Sequence, residues 1–331
     1  MGKKLWVSVR PWRKEIFTTA LESGADAVLI PKECNGQAKE LGIIQTISED
    51  GDMKLGQDVV EWTLSGKEDE LKIADLPQET KVIIKTTDWT IIPLENLIAQ
   101  RGHLYAQVNS AEEARTALSI LEKGVEGVLL STENPQEIRK TAEFMKQAAE
   151  KVELCSAKVV QIRPLYMGAR VCVDTCSLMN IGQGLLVGNS SMAMFLVHSE
   201  SLENPYVSAR PFRVNAGPVH AYVKVPGGKT RYLSELKAGD EVLIVDYQGN
   251  TEIAIVGRVK IERRPLVLLE AEVEGVCVNI ILQNAETIRL TSPEGKAISI
   301  VNLKRDDQVL VSLERSARHF GHKVDETLLE R

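Results

Sequence analysis

The texture of this 331-residue chain changes near residue 152, and that change constrains the fold more than any single motif. Ahead of it, short β-branched runs alternate with helical stretches. They are LWVSV (5–9), an amphipathic stretch from Glu15 to Glu22, AVLIP (27–31), KVIIK (81–85), a helix near Leu94–Ala99, LYAQV (104–108), a helix over 111–123, GVLL (127–130) and a helix over 135–150. Such alternation implies βα units feeding a parallel sheet or barrel. An internal echo agrees: ALESGADAVLI (20–30) matches ILEKGVEGVLL (120–130), with Gly24 and Gly124 in the same place. A glycine there ends a helix in the left-handed conformation and turns the chain into the next strand. Two helix-to-strand turns of one design are what a (βα) barrel or its fragment shows.

Beyond residue 152 helical periodicity nearly vanishes, and strands punctuated by glycine and proline run to residue 313. LSELKAGDEVLIV (233–245) and IVNLKRDDQVLVS (300–312) share the pattern L-K-x-x-D-x-V, each a turn leading into a strand. VDYQGNTEIAIVGRVKI (245–261) reads as a hairpin about Gln248, Gly249 and Asn250. The expected architecture is α/β followed by β. A (βα) barrel-like domain spans 1–155 and a mostly antiparallel β domain, closed or sandwiched, spans 156–331, with the boundary between 150 and 165.

Bulk properties exclude several partner classes. A net charge of −6 gives no basic footprint for nucleic acid. No apolar run approaches the roughly 20 residues that span a bilayer, and MGKKLWVSVRPW lacks the apolar core of a signal peptide. Five cysteines (34, 155, 172, 176, 277) form neither a zinc pattern nor a disulfide framework. These features lead us to expect a cytoplasmic protein with reduced thiols, free to form homo-oligomers.

The residues that carry chemistry concentrate in a few stretches. ARPFRVNAGPVHAY (209–222) packs Arg210, Arg213, Asn215 and His220 together, a mixture suited to a small polyoxygenated anion. Lys85 closes an apolar strand, and strand C-terminal ends face the mouth of a βα barrel. It can serve there as a general base, a Schiff-base amine or an anion clamp. Glu95 is a second catalytic candidate, its plainer account being a charge favoured at a helix N-terminus. In HSESLEN, His198 and Glu200 share one face of an extended chain, so they can bind a divalent cation or form an acid–base couple, with His220 as a third member if the loops converge. GQGLLVGNSS (182–191) offers Gly182, Gly184 and Gly188 as a phosphate-approaching loop, although it is neither the dinucleotide fingerprint nor a P-loop; a plain turn before MAMFLVHSE is the alternative. Gln283 and Asn284 end another strand and suit hydroxyl recognition or a turn, while the adjacent Arg263 and Arg264 point to opposite faces.

Taken together, RVCVDTCSLMNIGQGLLVGNSS, FLVHSESLENPYVSARPFRVNAGPVHAYV, PGGKTRYLSELKAGDEVLIVD, GRVKIERRPLVLLEAE, LQNAETIRL and ARHFG resemble the type II 3-dehydroquinate synthase family, as do DWTIIPLENLIA and EDGDMKLG. The likeness covers nearly the whole chain. It implies NAD-dependent oxidative deamination and cyclisation of 2-amino-3,7-dideoxy-D-threo-hept-6-ulosonate to 3-dehydroquinate, feeding aromatic amino-acid synthesis. A branch of the same family makes 3-amino-4-hydroxybenzoate with a divalent metal and no net oxidation by nicotinamide. The resemblance thus implies NAD, and leaves open a divalent metal (Mn or Mg) held by His198, Glu200 and His220. Under it, Arg210 or Arg213 takes the substrate carboxylate, Asn215 and Asn284 the hydroxyls, and Lys85 or His198 moves protons. Gly182, Gly184 and Gly188 are the local candidates for the NAD pyrophosphate. A third reading, a non-enzymatic module that binds sugar acids, sits poorly with the dense polar chemistry of 198–220.

Overall fold

The computed structural model describes residues 3–87, 91–121, 124–148, 151–314, 318–319 and 322–323. The polar tail SARHFGHKVDETLLER therefore lies mostly outside the described residues, as does the Asp-Trp-Thr start of DWTIIPLENLIA. Two compact units, Met1–Lys146 and Gln147–Arg331, make up the chain.

The first unit alternates strands with helices: β1 (Lys4–Ser8), α1 (Lys14–Ser23), β2 (Ala27–Leu29), α2 (Asn35–Leu41), β3 (Gln45–Ser48), β4 (Met53–Lys54), β5 (Val59–Leu64), α3 (Lys67–Ala74), β6 (Lys81–Thr86), α4 (Ile91–Gln100), β7 (Leu104–Val108), α5 (Ala111–Leu118), β8 (Gly127–Leu130) and α6 (Pro135–Ala148). The strands form one parallel sheet in the order β4-β3-β2-β1-β8-β7-β6-β5, and its outer members approach again at an isolated bridge between Leu55 and Val59. The expected (βα) barrel-like half is therefore present and nearly closed.

Strand alternation sorts the side chains into two layers. Trp6, Leu29, Ile47, Val59, Ile83, Tyr105 and Leu129 pack together on one face, with the Trp6 and Tyr105 rings stacked 3.6 Å apart. Val7, Val28, Val82, Ile84 and Val128 point the other way, against Phe17, Leu94, Leu97 and Ile138 of the helices. Gly24 terminates α1 at φ +80°, its N–H bonded to Ala20 and Leu21 carbonyls, and Gly124 adopts φ +59° where a Cβ would sit 2.2 Å from the Leu118 carbonyl oxygen. Gly24 thus ends its helix as expected, whereas α5 stops at Leu118, short of the expected 123, with Ser119 as its cap, and Gly124 makes a left-handed turn six residues later. The sequence reading passed over residues 32–80, which supply two helices and three strands. Their signals are weak: α2 buries only Ala38 among its own residues, and β4 is two residues long.

The second unit is wholly antiparallel. Its strands are β9 (Cys155–Thr175), β10 (Gln183–Ser190), β11 (Ala193–His198), β12 (Arg213–Pro218), β13 (Tyr222–Val225), β14 (Lys229–Tyr232), β15 (Glu241–Asp246), β16 (Thr251–Val273), β17 (Val276–Gln283), β18 (Arg289–Thr291), β19 (Ala297–Ser299) and β20 (Gln308–Leu313). Pairings β10-β15-β16-β9-β20-β11 return to β10, so six strands close a ring around a core that includes Val171, Val187, Phe195, Ile244 and Val311. Closure removes the exposed sheet edges that invite aggregation. The long strands β9 and β16 carry β12 and β17 as further partners.

The repeated L-K-x-x-D-x-V pattern is a repeated structure. The Asp240 carboxylate accepts the Lys237 N–H at 2.9 Å, and Asp307 accepts the Lys304 N–H at 2.8 Å. The first turn then bonds to Val256 of β16 and the second to Val159 of β9. The hairpin also forms as expected, with Asp246 accepting the backbone N–H groups of Gln248 and Asn250 and Gly249 at φ +83°.

Candidate functional site

In the first unit the chemistry gathers at the C-terminal ends of β6 and β7. Because Ile83 faces the sheet interior, the two-residue period puts Lys85 on the same side one step further, beside Thr63 in register. Lys85 lines a cavity of about 610 Å³ together with Thr87, Gln107, Asn109 and Glu112, whose other walls are Ile84, Leu94 and Val108. Helix α5 opens at this cavity with Ser110 as its cap, whose hydroxyl accepts the Glu113 N–H at 3.2 Å. Glu113 in turn holds Asn109 through its backbone N–H at 2.8 Å and its side-chain amide at 3.1 Å. Among the described residues no side chain or backbone group pairs with Lys85 Nζ or with the Glu112 carboxylate. Glu95 stands half-buried on α4 and does not line this cavity, so the structure does not support the catalytic part expected of it. An ion pair that sequence reasoning missed joins Arg10, just past β1, to Glu61 of β5 at 2.5 Å.

In the second unit, strands β12, β9 and β16 lie side by side and present one charged face. Strand alternation places Arg170, Cys172 and Asp174 on β9 together; register then sets Arg213 and Asn215 opposite Asp174 and Cys172, with Arg258, Lys260 and Glu262 on the far side. Asp174, 4% exposed, accepts a two-pronged bond from Arg213 (Nε 2.7 Å, Nη2 2.9 Å) and a further one from Arg258 Nε at 2.8 Å. Burial opposes ionisation of Asp174, but the two guanidiniums outweigh it and hold the carboxyl below its usual range. Glu200 is the reverse case. Burial pushes its carboxyl up, although Arg213 and Arg210 pull it down. Arg170 bonds Glu262 at 3.0 Å and contacts the Cys172 thiol, while its buried Nε has no partner among the described residues. Arg264 joins this network through Glu262 at 3.1 Å. Asn215 donates to Gln283 at 2.9 Å, leaving its own carbonyl oxygen buried and unpartnered.

These contacts revise several expected roles. Arg213 is consumed by Asp174 and is a structural clamp, whereas Arg210, with 41% of its side chain exposed and a loose 3.4 Å contact to Glu200, keeps donors to spare. Asn284 is exposed and contributes its backbone N–H to the Pro265 carbonyl; its neighbour Gln283 is the one that meets Asn215. His198 is 2% exposed, and both ring nitrogens are occupied. The Gly182 N–H donates to Nε2 at 2.8 Å, so Nδ1 carries the proton and donates to the Ser199 carbonyl at 2.7 Å. Burial further lowers its pKa, leaving a neutral imidazole with no lone pair for a metal and no site for a substrate proton. His220 is exposed in the turn after β12. Among the described residues no three or more His, Cys, Asp or Glu side chains are arranged to hold a metal ion, so His198, Glu200 and His220 do not form the expected ligand set.

The glycine-rich run is likewise not a loop. Gly184 and Gly188 lie inside buried β10, where an added Cβ would fall 1.9 Å from the Val197 carbonyl oxygen and 2.2 Å from that of Ala193. Gly182, at φ +86°, packs under the Tyr247 ring. These glycines let neighbouring strands approach, and the run does not fit a dinucleotide pyrophosphate.

Residues 2–145 match 3-dehydroquinate synthase II N-terminal domains, and residues 156–331 match the corresponding C-terminal domains. A 3-dehydroquinate synthase homolog of Aquifex aeolicus is 54% identical, the alignment covering 99% of this chain and all of that one. The 3-dehydroquinate synthase of Methanoculleus marisnigri is 50% identical over 99% of this chain and 100% of its own length. That of Methanocaldococcus jannaschii is also 50% identical, over 98% of this chain and 99% of its own. A solved phosphoribosyl anthranilate isomerase matches at 13% identity and a TM-score of 0.34, covering 44% of this chain and 98% of that one, too slight a likeness to carry an argument.

Proposed function

Because this chain belongs to the 3-dehydroquinate synthase II family, we propose that it makes 3-dehydroquinate from 2-amino-3,7-dideoxy-D-threo-hept-6-ulosonate by NAD-dependent oxidative deamination and ring closure, for aromatic amino-acid synthesis. The observation that carries the proposal is the full-length likeness, about half of all positions, to relatives bearing that name.

NAD supplies the oxidant in this reading. Since the run from 182 to 188 does not fit it, no residue of this chain is assigned to the cofactor. The chain's own groups serve the remaining needs. In the second unit, Arg210 offers a partly exposed fork of a kind that takes a carboxylate. Ring closure removes a proton from the methyl group beside the ketone, and the carbanion that develops needs a cation and a proton acceptor close by. Lys85 and Glu112 line one cavity, with no partner of their own among the described residues, and they supply both.

The test is to incubate the purified protein with the amino-keto acid and NAD, following NADH absorbance and identifying the product by mass spectrometry. NADH and 3-dehydroquinate appearing in equal amounts is the expected result. Formation of 3-amino-4-hydroxybenzoate on addition of manganese, without NADH, would overturn the proposal in favour of the other branch. Binding without turnover would overturn it in favour of a sugar-acid module.

A further inference from the structure

We infer that Lys85 acts covalently: its Nζ condenses with the ketone of the open-chain substrate, and the ring closes through the resulting enamine. The inference rests on the function proposed above and deepens it by naming the nucleophile.

Three observations converge on this lysine. Lys85 closes β6 at its C-terminal end and is among the residues that line the strand-end cavity. In the same barrel Lys4, Lys32, Lys39 and Lys67 each hold a carboxylate. Lys85 holds none among the described residues, which leaves its nitrogen available to an electrophile. The cavity is about 610 Å³, within the range of small-molecule sites, and half its wall is apolar through Ile84, Leu94 and Val108.

The chemistry favours a covalent part over a purely electrostatic one. A lysine beside a ketone oxygen stabilises an enolate through one hydrogen bond. A lysine joined to the ketone carbon as an iminium puts the full positive charge one bond from the carbon whose proton must leave. Lysine suits this task, whereas a guanidinium is too weak a nucleophile for it.

The steps balance without an outside reagent. Nζ adds to the ketone carbon, and the carbinolamine loses water to give the iminium. Glu112 takes a proton from the methyl carbon, and the C–H electron pair becomes the enamine double bond. That carbon attacks the carbonyl left by oxidative deamination; the new C–C bond forms and the carbonyl oxygen takes up the proton. Water then adds to the regenerated iminium and releases Nζ with the ring ketone. One water leaves and one returns, so the closure is a net isomerisation.

Trapping tests the inference directly. The probe is 6-oxoheptanoate, a methyl-ketone acid without the amine, given to the full chain with sodium cyanoborohydride. The expected result is a single adduct whose mass is that of the probe less one oxygen atom, mapped to the peptide carrying Lys85 and absent from Lys85→Met. A second variant separates the covalent part from the electrostatic one. Lys85→Arg keeps the charge, so covalent catalysis predicts that 3-dehydroquinate formation in a single turnover falls by roughly 10³-fold or more while NADH release persists. No adduct in the parent, or ring closure by Lys85→Arg within about tenfold of the parent, would overturn the inference. Failure of the family-level function shows differently, as a parent protein that yields neither NADH nor 3-dehydroquinate.

Discussion

Replacing Asp174 with Asn tests the charged face of β12, β9 and β16 most sharply. The carboxylate is 4% exposed and is shared by two guanidiniums of unequal standing: the Arg213 side chain is 10% exposed and that of Arg258 is 62% exposed. Asn keeps the shape but removes the charge, and its amide turns donors toward donors. Arg258 can turn to solvent, so its loss resembles that of a surface pair, about 0–1 kcal/mol. Arg213 cannot, and a buried charge stripped of its partner costs about 3–5 kcal/mol. That is a large share of a total stability of roughly 5–15 kcal/mol. Urea unfolding followed by far-UV circular dichroism should show the loss. With a slope of about 3 kcal/mol/M, the midpoint drops by roughly 1–1.7 M. Hydrogen exchange should accelerate in Arg213–Pro218.

The pH dependence has a definite sign. Burial raises the Asp174 pKa, the two guanidiniums lower it by more, and the folded value lies below the unfolded 3.8. The stabilisation is therefore complete above that unfolded value and fades as pH falls through the lowered folded one. The gap between parent and variant should be constant from neutral pH down to about 4 and shrink only in stronger acid. A variant within about 1 kcal/mol of the parent at neutral pH, or a gap that closes already near pH 6, would refute the assignment of Arg213 as a buried clamp.

Two further outcomes follow from single contacts. Arg210→Ala removes a charged hydrogen-bond donor worth about 1.5–3 kcal/mol, so KM for the amino-keto acid should rise roughly 10–150-fold in steady-state kinetics with kcat little changed; an unchanged KM would take Arg210 out of the site. Gly188→Ala would press a methyl against the Ala193 carbonyl, 2.2 Å away, and should cost about 1–3 kcal/mol in urea unfolding. The surviving folded protein should bind NAD as the parent does in calorimetric titration, and weakened binding at undiminished stability would restore the run as a cofactor cradle.

Much of the architecture was readable because it is written in local patterns. Gly24 announces a helix end by a conformation that other residues resist, and the two Lys-x-x-Asp turns recur because each carboxylate satisfies a backbone N–H three residues back. The place of Lys85 near the end of β6 was also legible, since the apolar run that precedes it marks the strand. The charged network was not. Arg213 and Asp174 lie 39 positions apart, and only the β12–β9 register makes them opposite one another. His198 misled for a related reason. Its partners are the Gly182 N–H and the Ser199 carbonyl, backbone groups that every residue possesses and no composition reveals. The glycines of β10 carry the same lesson, because the oxygen each makes room for belongs to the neighbouring strand β11.

The bridge between Leu55 and Val59 leaves the parallel barrel laced everywhere except along one line. A cylinder with such a slit yields there first under load, since parting β4 from β5 sacrifices less backbone pairing than separating any interior neighbours. Glu61, borne on one lip of the slit, grips Arg10, just past the end of β1, a strand four places away in the sheet order. Widening the rim thus strains a charge pair rather than a ladder.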